Sequence, residues 1–173
     1  MRNKSRYVIN KDLNLSPDKC IGFSTLLQPF QIADILNKIL DIELYRISDL
    51  VQINSFVEES SDSMPLFNKT PSKTEFHHQF YYYYDDLYRT DYILLQNKSL
   101  NNCIINELKK YDNLLFIIDD SQNSLECVLE NSKSIVNTYS VILDLNESKN
   151  LSDILDTLEE IEMHLIQESV KLK

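Results

Sequence analysis

The chain predicts an α+β domain. We expect a single two-layer unit with a mixed or mostly antiparallel sheet of five or six strands, helices on one face, and an amphipathic helix added at the C-terminus. Three observations lead there. Apolar and aromatic runs of strand length recur along the sequence, separated by short polar turns. Two segments between them show helical apolar spacing. The last segment carries Leu151, Ile154, Leu158, Ile161 and Leu165 at alternating intervals of three and four. At 173 residues, the chain suffices for one domain with its own core.

Residues 1–18 are polar and are expected to form a flexible N-terminal segment. The domain then spans 19–145, and 146–173 is the C-terminal helix. "KCIGFST" (19–25) reads as a strand. Thr25 opens a helix with Gln28 as the third residue of a capping box. Phe30, Ala33, Leu36 and Leu40 share a face, with Ile32, Ile35 and Ile39 beside them. Pro29 falls where a first turn tolerates proline. Residues 42–54 read as extended chain, and 57–75, rich in Ser, Pro and charge, as a flexible loop.

Residues 75–86 and 88–98 form a hairpin around Asp85, Asp86 and Leu87. "NLLFIID" (113–119) is a continuous apolar run, the mark of a central strand. A helix follows over 121–135, with Ser121 as N-cap and Leu125, Val128 and Leu129 facing inward. "TYSVILDL" (138–145) closes a strand–helix–strand unit, which implies a right-handed crossover. Asn150 would cap the last helix, with Asp153 near its positive end. Its stripe fits either a core-facing helix or a coiled-coil seam with a partner or a second copy of the chain.

The formal net charge is −10. Such a surface repels phosphate backbones and anionic membranes, so nucleic-acid binding is not expected. Gly22 is the single glycine, which leaves no room for a P-loop or a dinucleotide fingerprint. Cys20, Cys103 and Cys127 are odd in number and far apart, as free thiols in a reducing compartment would be. The N-terminus lacks the apolar stretch of a secretory signal, and no run approaches the roughly 20 apolar residues of a membrane span. The expectation is a cytoplasmic protein.

Tyr81–Tyr84 is the most unusual local feature. On a strand, Tyr82 and Tyr84 share one face and could form an exposed strip for a partner; packing is the plainer reading. His77 and His78 alternate faces, and His164 lies on the last helix, so no metal set is expected. Asp119 and Asp120 end the central strand, where carboxylates can line a pocket; Asp120 is also placed to start the next helix. No nucleophile–base pattern appears, and no catalytic residue, metal or cofactor is assigned.

Ile105, Glu107 and Asp112 stand at the spacing of the motif "IPExxxVDY". "IINELKKYDNLLFII" resembles the segment that names a family of small bacterial proteins, the IPExxxVDY family, to which no activity is attached. Asn106, Tyr111 and Asn113 stand where the family has proline, valine and tyrosine. The helix pair Leu36 and Asn37, the segment Arg46, Asp49, Leu50, and the strand end Asn97, Lys98, Ser99 are similar as well. The resemblance covers about residues 20–145 and implies an intracellular bacterial protein. Physically, Glu107 sits in the first turn of a short helix and Asp112 folds back onto backbone amides, steering the chain into its central strand. The function expected is a non-catalytic protein-interaction or regulatory domain with an unidentified protein partner. The alternative is an enzyme or small-metabolite binder with a pocket near Asp119 and Asp120.

Overall fold

The computed structural model describes residue 15 and residues 17–56, 72–100, 102–120, 122–133, 138–146 and 151–171. The elements in order are β1 (Lys19–Thr25), α1 (Pro29–Leu40), β2 (Tyr45–Arg46), β3 (Leu50–Phe56), β4 (Ser72–His78), β5 (Phe80–Asp85), β6 (Thr90–Gln96), β7 (Lys98–Ser99) and β8 (Asn102–Cys103). A 3₁₀ turn at Asn106–Leu108 leads into β9 (Asn113–Ile118), α2 (Ser124–Ser132), β10 (Thr138–Asp144) and α3 (Leu151–Lys171). Six strands form the main sheet in the order β10-β1-β9-β6-β5-β2, and every neighbouring pair is antiparallel.

The apolar run of β9 lies inside the sheet between β1 and β6, buried at every residue. Strand alternation divides its side chains between two cores. Leu114, Phe116 and Ile118 join Cys20, Tyr82 and Ile93 on the face that α3 covers. Leu115 and Ile117 join Ile21, Phe23 and Leu94 under α1 and α2. The two internal helices thus share one face, as expected, and α3 supplies a third layer on the other. Because β1 is antiparallel to both β9 and β10, those two strands run parallel, and α2 carries the chain across β1.

Several boundaries differ from the sequence reading. Helix α1 starts at Gln28, not Thr25: the Gln31 side chain accepts a hydrogen bond from the Gln28 amide at 2.9 Å, and Pro29 is the first helical residue. Thr25 instead accepts from the Leu27 amide (3.2 Å), closing a local turn. Phe30 points outward, while Ile32, Ala33 and Leu36 are buried. Ser121 and Asn150 lie outside the described residues; α2 has Asn123 at its N-cap in the left-handed conformation. Leu15 and Pro17 are buried, and the Leu145 amide donates to the Asp18 carbonyl (2.8 Å), so this end of the 1–18 segment is fastened to the domain. Of the expected loop 57–75, residues 72–75 belong to β4, and 57–71 lie outside the described residues.

The strand expected over 75–86 is broken at Gln79. Among the described residues, β3 and β4 pair only with each other, as a separate two-stranded sheet. Gln79 turns its backbone to β6: its amide donates to the Gln96 side chain (3.1 Å), and its carbonyl accepts from the Gln96 amide (2.8 Å). Among the described residues, no helix is long and apolar enough to cross a membrane.

Candidate functional site

The motif segment is organised by two polar residues. Asn97, fully buried, follows β6 directly. Its Oδ1 accepts from the Ile105 amide (2.9 Å), and its Nδ2 donates to the carbonyls of Leu108 (2.9 Å) and Tyr111 (3.1 Å). One side chain therefore satisfies backbone groups that the loop's own short-range hydrogen bonds, such as Leu108 amide to Ile105 carbonyl (3.1 Å), do not all reach. Asp112 works at the exit. Its Oδ2 accepts from the Thr25 amide (2.8 Å), its Oδ1 meets Lys98 Nζ at 2.9 Å, and its own amide donates to the Phe23 carbonyl (2.7 Å). Ile105 is buried and Glu107 exposed in the 3₁₀ turn. Asp112 is thus bound into the entry to β9. Asn97 carries more of the fastening than the motif residues do. The sequence held it in plain view, but its partners are backbone groups and have no residue signature.

Gly22 and Tyr111 complete this end of the sheet. A β-carbon at position 22 would stand 2.6 Å from the Tyr111 ring, so the ring occupies the space a side chain would need. Lys110 Nζ lies 4.9 Å from the ring centroid.

At the opposite end of β9 a cleft of about 290 Å³ is lined by Pro17, Asp18, Lys19, Asp119, Asp120 and Glu126, among others. It lies where the alternative reading expects a pocket. Asp120 is committed: its Oδ1 accepts from the Ser124 amide (2.7 Å) and its Oδ2 from the Leu125 amide (3.0 Å). The carboxylate holds the start of α2, as the sequence suggested. Asp119 adopts φ 58°, and its carbonyl accepts from Thr90 Oγ1 (3.1 Å). Arg46 pairs with Asp49 at 2.7 Å on edge strand β2, and neither it nor Glu107 is among the cleft's lining residues. Among the described residues, no three His, Cys, Asp or Glu side chains converge to hold a metal ion.

The expected strip of Tyr82 and Tyr84 is corrected by burial. Tyr82 is 0% exposed, and its hydroxyl donates to buried Asp91 (2.6 Å). Its ring meets Tyr45 edge-on at 5.9 Å. Tyr84 is half-buried and packs against the same core. α3 covers this face, and the helix lies some 70 residues away in sequence. The other face of β5 is also used: Tyr81 is buried, and the Tyr83 and Tyr92 rings lie 6.1 Å apart. His77 and His78 do point opposite ways, His77 to solvent and His78 into the core.

The regular stripe of α3 is consumed within the chain. Ile154, Leu158, Ile161 and Leu165 are each 0% exposed, packed on the sheet, so in this arrangement they offer no seam to a second copy. The helix has a second face that sequence reasoning missed. Leu155 (36% exposed), Met163 (56%) and Ile166 (49%) point to solvent. Glu159 falls between them and Glu162 beside them. The helix bears six carboxylates, Asp153, Asp156, Glu159, Glu160, Glu162 and Glu168, and no lysine or arginine before Lys171. Subtracting the inner stripe from the helix would have exposed this residue set in the sequence.

No protein-family model, curated protein or solved structure matches this chain.

Proposed function

We propose that this chain is a non-catalytic protein-interaction or regulatory domain that works through the outer face of α3. One observation carries the reading: apolar residues on that face stand in water among carboxylates, while the helix's other stripe already stabilises the fold. Exposed apolar residues rimmed by charge are what a docking surface presents. Polar residues of the kinds that carry chemistry have structural partners here: Asn97 and Asp112 at one end of β9, Asp120 at the other. Membership of the IPExxxVDY family and a place in the bacterial cytoplasm belong to the same proposal, on the residues quoted above.

The test is affinity purification of the tagged chain from its own host, with mass spectrometry. Three baits are compared: the wild type, Met163→Lys and the cleft variant Glu126→Gln. We expect one set of proteins retained by the wild type and Glu126→Gln and lost with Met163→Lys. Identical sets on all three baits would remove the reading. The second reading, a small-metabolite site, is favoured by the cleft at Asp119. A metabolite that raises the melting temperature of the wild type but not of Asp119→Asn would install it instead.

A further inference from the structure

We infer that the outer face of α3 receives a cationic amphipathic helix from a partner protein; the inference rests on the interaction reading above. At 100° per residue, Leu155, Met163 and Ile166 fall within about 80° of the helix circumference. At about 1.5 Å per residue they extend over roughly 16 Å of axis, about three turns of an apposed helix. A helix with anchors at i, i+3 or i+4 and i+7 covers a comparable length, with Leu155 at one end of the strip and Met163 and Ile166 at the other. Glu159 interrupts the seam, Glu162 borders it on one side, and Asp156 lies on the other. Lysines or arginines flanking the partner's apolar stripe would meet carboxylates on either side. The attraction sets register and speeds encounter, while the apolar contacts hold the complex.

The charge also selects among occupants. A second copy would bring Asp156, Glu159 and Glu162 against their own counterparts, between chains of net charge −10 each. An anionic membrane would be repelled for the same reason. A basic helix is the occupant for which apolar and electrostatic terms agree.

The probe is a fluorescein-labelled 14-residue peptide of leucine and lysine, ordered so that a helix shows one apolar and one cationic face. It is titrated with the full-length chain and read by fluorescence anisotropy and circular dichroism. We expect saturable one-to-one binding with a gain of peptide helicity. Affinity should fall about tenfold for Met163→Lys and for a peptide of the same composition in scrambled order. Met163 is exposed, so the variant keeps its fold, checked by an unchanged melting curve. Equal binding of the scrambled peptide, or no loss with Met163→Lys, overturns the inference. So does a dimer of the unliganded chain in light scattering that Met163→Lys abolishes. Binding that appears only after removal of residues 1–14, which carry Arg2, Lys4, Arg6 and Lys11, assigns the face to this chain itself and also overturns it. If the peptide fails while Met163→Lys still loses host proteins, the interaction reading stands and the helical cationic partner falls. If the host proteins are unaffected too, both fall.

Discussion

The ring of Tyr111 fills the space over Gly22, within 2.6–2.8 Å of where a β-carbon would be. No rotamer of an added methyl relieves such a contact; the ring or the strand must move. Gly22→Ala should therefore cost about 1–3 kcal/mol, as overpacking does. In a Tyr111→Ala background the same change should cost under about 1 kcal/mol, because the two residues are coupled by contact. Urea denaturation of the four variants measures this, and additive costs would show that the ring is not the obstacle.

The Asn97 side chain reaches four backbone groups, three of them within 3.1 Å. Asn97→Ala removes the side-chain partner of the Ile105 amide and the Tyr111 carbonyl, while the Leu108 carbonyl keeps the Tyr111 amide, at a cost of about 3 kcal/mol. Asn97→Asp is the sharper variant. It keeps the acceptor for Ile105, but its carboxylate cannot donate to Leu108 and Tyr111. We expect Asn97→Asp to be at least as damaging at neutral pH, by equilibrium unfolding. A neutral result would deny Asn97 its organising role.

Within the motif, Asp112 and Glu107 should respond differently. Asp112→Ala loses the acceptor for Thr25 and the partner of Lys98, for about 1–2 kcal/mol. Asp112→Asn keeps an oxygen near the Thr25 amide. It loses an ion pair whose partners are each about a third exposed, worth under about 1 kcal/mol. Glu107→Gln, on the surface, should stay within about 0.5 kcal/mol of wild type. Chemical denaturation ranks the three, and any other order would undo the assignment.

His78 gives the fold a pH dependence. Burial lowers its pKa from the ordinary 6.5; the hydrogen bond to the Gln96 carbonyl and the negative Asp49 oppose the shift, and His77 adds to it. Among the described residues its Nε2 is buried with no hydrogen-bond partner. Below pH 6.5 the unfolded chain takes up a proton that the folded chain resists. Stability is thus complete above about 6.5 and declines as pH falls toward the depressed folded value. His78→Gln should flatten the stability profile across that window. A wild-type slope that survives the substitution would point to another group.

Burial pushes the Cys20 thiol up to about 12, whereas Cys103 and Cys127 are only half-buried. In the native protein an alkylating reagent should modify Cys103 and Cys127 and leave Cys20 until the chain unfolds. Mass spectrometry after timed labelling reads this directly. Modification of Cys20 at the rate of the others would mean that the β1 end of the sheet opens readily.

Periodicity made much of the fold legible. The apolar run at 113–119 and the inner stripe of α3 both report burial, because each repeats at the period of its own element. The features that stayed hidden depend on distant or featureless partners. Tyr82 looks like half of an exposed strip until α3 covers it. The break at Gln79 interrupts a segment whose strand propensity never falters, because Gln96 on a neighbouring strand draws the backbone aside. Gln28 starts α1 although Thr25 is the commoner cap, since Thr25 is held by Asp112 and a local turn. The cleft at Asp119 was anticipated by position alone; the acidic outer face of α3 was written in the sequence, masked by the stronger stripe behind it.

With its single glycine committed beneath Tyr111, the chain makes left-handed bends from Asp41, Arg89, Leu100, Asp119 and Asn123, at φ between 53° and 58°. For Arg89 and Leu100 such angles are strained, at roughly 1–3 kcal/mol each. The denatured chain, though, explores fewer backbone states than a glycine-rich one and forfeits less freedom when it folds. Glycine at Leu100, a side chain 88% exposed, would ease the bend and loosen the random coil together. Rigidity while unfolded is a reserve that this polypeptide draws on at its corners.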